Sequence, residues 1–190
     1  MCRRGRSRAQ GLGADTVYGL GADATDPAAV ERVFEAKRRA HEEPVSMAVP
    51  DIDQATEHVR LSRRERRFAR AFLPGPVTLV CARRESVPGV LTAGRDRVGV
   101  RIPDHQRALA LLARTPPLTA TSANVSGRPS ARRAGGLDPE MRAAADVVVP
   151  RATPPTDEEP VGSTVVDVAR GEIHREGALG GAVRTWLETN

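Results

Sequence analysis

Lys37 is the only lysine in a chain that carries 29 Lys+Arg, and Arg39 stands two residues after it. An ammonium is a compact charge on a flexible stem and a guanidinium is a planar fork; both hold phosphate or carboxylate oxygens. A second concentration of polar groups is Thr121-Ser122-Ala123-Asn124-Val125-Ser126-Gly127, a run of small hydroxyl and amide side chains. Placed after a strand end, such a run makes a loop able to hold anionic oxygens through side chains and backbone N–H groups, although an ordinary Ser/Asn/Gly turn has the same composition. Lys, Arg, Ser, Thr and Asn together bind and neutralise anions. They suit chemistry by positioning and charge stabilisation rather than by a covalent intermediate.

Other chemistries find less support. No Gly-x4-Gly-Lys-Ser/Thr phosphate loop is present. Gly19-Leu20-Gly21-Ala22-Asp23-Ala24 fits a relaxed nicotinamide-dinucleotide fingerprint before a helix, but the strand ahead of it is very short. His41, His58, His105 and His174 share no metal-ligand spacing with one another or with Cys2 and Cys81. Two cysteines make neither a disulfide framework nor a metal cluster, which points to a reducing cytoplasm, and Cys81 reads as a small core residue.

The elements that must position these groups follow from the pattern. Asp26-Pro27 opens a helix whose apolar residues Val30, Val33 and Phe34 fall at helical spacing. Lys37, seven after Val30, continues that stripe, so it emerges from the edge of the buried face. Residues 45–49, 77–82, 98–102, 118–121, 147–149 and 165–168 read as strands, with a last strand and turn over 172–178. In 98–102, Arg101 alternates with Val100 and Ile102 and therefore faces away from them. Helices are expected over 51–59, from Ser62, which has capping-box spacing to Glu65, through 71, over 105–113, after Asp138-Pro139, and over 182–188. Residues 15–21 read as a short strand running into a glycine turn, and residues 1–12 as a basic N-terminal arm.

The chain has 190 residues, 39% hydrophobic and 28% charged, enough for one globular α/β domain with a mixed sheet over 13–190. Aromatics make up only 3%, so the core is aliphatic. There is no apolar run long enough to span a bilayer, and the arginine-rich start has no apolar segment behind it, so no membrane role is expected. The formal net charge of +5 suits a polyanionic partner or an anionic substrate. The arginines Arg63, Arg64, Arg66, Arg67 and Arg70 form either an RNA-facing stripe or a solvated helix face.

Taken in order, several stretches resemble the YrdC-like family of threonylcarbamoyl-AMP synthases, in its short, single-domain branch. They are Asp15-Thr16-Val17-Tyr18-Gly19-Leu20-Gly21; Phe34-Glu35-Ala36-Lys37-Arg38-Arg39 with Pro44; Pro74-Gly75-Pro76-Val77-Thr78; residues 98–103; Thr121 to Gly127; Ser163-Thr164-Val165-Val166-Asp167; and Arg175-Glu176-Gly177. The resemblance implies a twisted α/β mixed sheet with one open, positively charged concave face. It implies a nucleotidyltransferase that joins L-threonine, bicarbonate and ATP into threonylcarbamoyl-AMP and releases pyrophosphate, with Mg²⁺ on the phosphates and no tightly bound cofactor. A threonylcarbamoyl transferase complex would then carry the group to the adenosine beside the anticodon of tRNA, in the cytoplasm. The Lys-x-Arg and Ser-x-Asn pairs of the family fall on Lys37, Arg39, Ser122 and Asn124, the expected catalytic set. By the same carry-over Lys37, Arg39, Ser122 and Arg175 would hold ATP; Thr16, Arg101 and Ser163 would hold threonine, with Arg101 on its carboxylate. Thr121 would sit between the two substrates with Asn124.

Departures from the family are Gly13-Ala14 before the Asp-Thr pair, Arg38 between the Lys and the Arg, Ala40 after them, and the acidic Glu42-Glu43 before Pro44. The family's first helix and strand have no evident counterpart in residues 1–12. Two rival readings remain: a non-catalytic RNA-binding protein, and a carbamoyl-transfer domain like those of hydrogenase-maturation proteins, acting on another acceptor.

Overall fold

The computed structural model describes residues 10–13, 17–149 and 161–190. The strands are β1 (Gln10–Gly13), β2 (Tyr18–Gly21), β3 (Ser46–Ala48), β4 (Val59–Arg60), β5 (Val77–Arg83), β6 (Arg97–Arg101), β7 (Leu118–Ser122), β8 (Val147–Val148), β9 (Thr164–Asp167) and β10 (Glu172–Arg175). The helices are α1 (Pro27–Lys37), α2 (Ile52–His58), α3 (Arg63–Phe72), α4 (Gln106–Leu112), α5 (Pro139–Ala144) and α6 (Gly180–Thr189). One mixed sheet runs in the order β10-β9-β5-β6-β3-β7-β2-β1-β8, with β4 added beside β5.

Local chemistry sets the helix starts. Asp26 accepts from the Ala28 N–H ahead of Pro27, and Asp51 accepts from Gln54 N. Ser62 and Glu65 form a reciprocal capping box, Ser62 Oγ accepting from Glu65 N while Glu65 Oε2 accepts from Ser62 N. Each such cap is worth about 1 kcal/mol. His105 caps α4 through a bond from Ala108 N to its Nδ1.

Two sequence expectations are corrected. Gly19-Leu20-Gly21 is sheet and not a turn: β2 pairs antiparallel with β7, Gly19 opposite Ser122. With these glycines inside a strand, no glycine turn faces a helix N-terminus, and the dinucleotide reading falls. The last residues of the expected basic arm form β1, which pairs antiparallel with β2 and parallel with β8, while residues 1–9 lie outside the described residues.

Period-two alternation sorts the strand residues onto two faces. Met47, Leu79, Cys81, Val98, Val100 and Val166 face a core closed by Phe34 of α1, Phe68 of α3 and Val183 of α6, each at most 3% exposed. On the opposite face α4 covers only one end, where Leu112 packs on the in-register pair Ala48 and Leu118. The rest of that face has no helix over it among the described residues and carries the small residues Ser46, Thr78, Gly99 and Ala120 beside the arginines Arg97 and Arg101. No helix of the described residues is long and apolar enough to cross a membrane.

Candidate active-site cleft

The uncovered part of the sheet holds a cleft of about 970 Å³. Its floor is Ser46, Thr78, Gly99 and Ala120, contributed by β3, β5, β6 and β7. Ser46 stands opposite Ala120 and Val80 opposite Gly99, so the pleat brings these residues to one face. Among the sequence-derived candidates, Arg39, Arg101, Thr121, Ser122, Ser163 and Arg175 all line it. Thr16 lies outside the described residues.

Arg101 leaves the sheet on the cleft side, while Val100 and Ile102 are 3% and 2% exposed in the core. The alternation read from sequence thus sets its direction. Its Nε is buried without a hydrogen-bond partner among the described residues. Burial, and then the like charge of Arg175, both act against its guanidinium charge. A buried donor left open beside a second cation calls for an anion.

Arg175 reaches the cleft from β10. Its Nε donates to Ser163 O at 3.1 Å and its Nη2 to Ser163 Oγ at 3.0 Å. Ser163 Oγ also meets Thr78 Oγ1 at 2.8 Å. The register of β10 on β9 slips between Ile173 and Arg175, a bulge that lets His174 and Arg175, consecutive residues, both line the cleft. Gly177 closes this corner: Gly177 N and Leu179 N both donate to Thr164 Oγ1, at 3.2 and 3.3 Å.

Lys37 is only 2% exposed, as its place on the α1 stripe implies. Its Nζ donates to Ser122 O at 2.5 Å and to Asn124 O at 2.7 Å, and lies 3.5 Å from Asn124 Oδ1. Lys37 O accepts from Ser126 N at 2.8 Å, so side chain and backbone together staple the 122–126 loop to the end of α1. Asn124 is the hub of that loop: Oδ1 accepts from Ser122 Oγ, and Nδ2 donates to Val125 O and Arg128 O. Lys37 and Asn124 therefore stand behind the cleft wall, with Ser122 in front of them.

Burial, with Arg39 as a second cause, brings the Lys37 ammonium from its usual 10.5 down to about 8. The folded chain then releases this proton near pH 8 and the unfolded chain near 10.5. Between these values the unfolded state holds more protons, so stability rises with pH. The wild type is expected to gain stability relative to Lys37→Met across this window, measured by urea unfolding at either end of it; a constant difference would show that burial does not perturb Lys37.

Arg38, the residue that departs from the family's small one, takes the left-handed conformation at φ 49° and ends α1, its N–H donating to Glu35 O. This turn sends Lys37 inward and Arg39 to the cleft. Arg39 is held by Glu43 O at 3.0 Å and Pro44 O at 3.1 Å, and Glu43 Oε2 lies 3.5 Å away. The acidic residue before Pro44 thus pairs with a guanidinium that lines the cleft.

Sequence reading missed the far wall. Arg97 forms a two-point ion pair with the fully buried Asp167, at 2.7 and 2.8 Å, and its Nη2 reaches Glu65 Oε1 at 3.3 Å. The capping-box glutamate of α3 is thereby tied to β6 and β9. The only trace in the sequence is polar residues at cleft-side positions of otherwise apolar strands. The expected arginine stripe is corrected in part: Arg64 donates to Val168 O, Leu187 O and Asn190 O, each at 3.0 Å, and caps the end of α6. Arg64 and Arg67 also stack over Trp186 at 5.8 and 6.0 Å.

The profile of the Sua5/YciO/YrdC family, described as telomere recombination, matches residues 12–177. The chain belongs to the Sua5/YciO/YrdC family. A threonylcarbamoyl-AMP synthase of Pyrococcus abyssi is 43% identical over 118 residues, covering 61% of this chain and 35% of that protein. A putative threonylcarbamoyl-AMP synthase of Methanocaldococcus jannaschii is 33% identical over 139 residues, covering 72% and 64%. The crystal structure of P. abyssi Sua5 complexed with L-threonine superposes with a TM-score of 0.78 at 34% identity, over 90% of this chain and 50% of that one. The α/β mixed sheet of this chain is thus the fold of the Sua5/YciO/YrdC proteins, and the chain spans about a third to two thirds of the length of these relatives.

Proposed function

We propose that this chain is a threonylcarbamoyl-AMP synthase, joining L-threonine, bicarbonate and ATP and releasing pyrophosphate. The observation that carries the reading is Arg101: a buried guanidinium with an open Nε, in one cleft with Arg39, Ser122 and Arg175. The likeness to a Sua5 that was crystallised with L-threonine supports placing the amino acid's carboxylate on Arg101. Thr121 and Ser163 line that end, where the family resemblance would add Thr16; Arg39, Ser122 and Arg175 take the nucleotide phosphates.

Threonine's amine and bicarbonate give a carbamate with loss of water. A carbamate oxygen then attacks the α-phosphorus, and the bond to pyrophosphate breaks. Negative charge gathers on the phosphates during that step, and fixed cations around them lower the barrier. Lys37 contributes from behind, its ammonium under the Ser122–Asn124 carbonyls, where it holds the loop that faces the phosphates. Mg²⁺ would neutralise the triphosphate and polarise its leaving group. The lining offers two carboxylates, Asp167, which is paired to Arg97, and the exposed Asp96, and no group of three or more metal-ligating side chains occurs among the described residues, so the ion would be carried mainly by the phosphates. The product would pass to a threonylcarbamoyl transferase complex for tRNA modification.

The test is threonine- and bicarbonate-dependent pyrophosphate release. The wild type is expected to turn over. Arg101→Gln is expected to raise the KM for threonine about 10²–10³-fold, the effect of unpairing a desolvated carboxylate. An Arg101→Gln enzyme with unchanged KM would remove the carboxylate from this arginine, and a wild type inert with threonine would overturn the reading.

A further inference from the structure

We propose that Thr78 is a positioning residue of this cleft, acting through Ser163. The inference rests on the reading of the cleft as a threonine and nucleotide site. Thr78 is 1% exposed and sits on the cleft face of β5, between Leu79 and Val77, which face the core. Its strand lies between β6 and β9, and its two Cβ branches divide between those neighbours. The hydroxyl reaches Ser163 Oγ at 2.8 Å on the β9 side. The methyl lies on the β6 side, over Gly99: a Cβ there would come within 2.8 Å of Thr78 Cγ2 and 2.6 Å of Ser46 Oγ. Glycine in the middle of β6 therefore has a packing reason; it is the space that lets Thr78 take this rotamer.

Ser163 Oγ already accepts from Arg175 Nη2 at 3.0 Å. A hydroxyl has one hydrogen and two lone pairs. With Thr78 donating, both lone pairs of Ser163 are used and its hydrogen is left to point into the cleft at an anion. With Ser163 donating to Thr78, no hydrogen remains for the ligand. A bound carboxylate selects the first arrangement, and Thr78 is what fixes it. The same serine touches Arg175, so Thr78 sets the relation between the amino-acid end and the phosphate end of the cleft.

Three variants test this in the pyrophosphate-release assay. Thr78→Val keeps shape and removes the hydroxyl; it is expected to raise the KM for threonine about three- to tenfold, the value of one buried hydrogen bond, with kcat little changed. Thr78→Ser, which restores the hydroxyl alone, is expected to return KM to the wild-type range. Gly99→Ala, which moves Thr78 without touching its hydroxyl, is expected to raise KM in the same way. A purely structural role would instead lower the melting temperature and kcat in Thr78→Val, with no recovery of KM in Thr78→Ser. Wild-type KM in an active Thr78→Val enzyme overturns the positioning role and leaves the functional reading standing. A wild type that does not use threonine overturns both.

Discussion

Lys37→Ala is expected to lose pyrophosphate release by at least about 10²-fold and to lower stability by about 2 kcal/mol. Both losses have one origin. The ammonium is the donor to two carbonyls, Ser122 O and Asn124 O, that no other side-chain donor reaches in the described contacts. Truncation leaves these oxygens unpaired beneath the loop and opens a void where the lysine stem lay beside α1. Opposing this, the fold no longer has to hold a charge whose burial is already costly, as its pKa of about 8 records. The stability loss is therefore smaller than two lost charged hydrogen bonds suggest. Activity is hit harder, because Ser122 sits in the cleft wall and Asn124 anchors it through Oδ1. Equilibrium urea unfolding and the assay, run on the same preparation, separate the two effects. Full activity in Lys37→Ala would show that the loop keeps its shape without the lysine.

Gly177→Ala is expected to destabilise the chain by about 3 kcal/mol, or a fall in melting temperature of about 6–12 °C for a domain of this size. A Cβ at Gly177 would run into the Gly162 carbonyl oxygen and come within 2.5 Å of Ser163 C and Thr164 N. All of these are backbone atoms, so no side-chain rotation relieves the clash. The start of β9 must move, and with it Ser163, the residue that Arg175 grips at two points. The variant should thus lose substrate affinity as well as stability, measurable by calorimetric melting and by KM for both threonine and ATP. A variant with the wild-type melting temperature would mean that the 162–164 segment yields freely.

These two residues differ in how far sequence alone reveals them. Lys37 stands out by composition, and its helical register with Val30 and Phe34 correctly directs it to the buried side. What it holds there is 85 and 87 residues away in the chain, and nothing local points to those carbonyls. Gly177 carries no local signal: its φ is not among the positive ones, and only the crossing segment 162–164 explains the glycine.

By itself the sequence determined the features that depend on neighbours in the chain. Helix caps at Asp26 and Ser62 follow from short side chains competing for free N–H groups. The cleft-ward direction of Arg101 follows from the period of a strand. The α/β class follows from the alternation of such segments. Tertiary structure alone decided that Gly19 and Gly21 are sheet, because only pairing with β7 and β1 distinguishes a glycine strand from a glycine turn. It also decided that Lys37 and Asn124 stand behind the wall while Ser122 lines it, that Arg64 caps a helix more than a hundred residues away, and that Thr78 leans over Gly99 to reach Ser163. The physical reason is common to all of these. Such contacts join strands and loops far apart in sequence, and their geometry exists only once the sheet order is set.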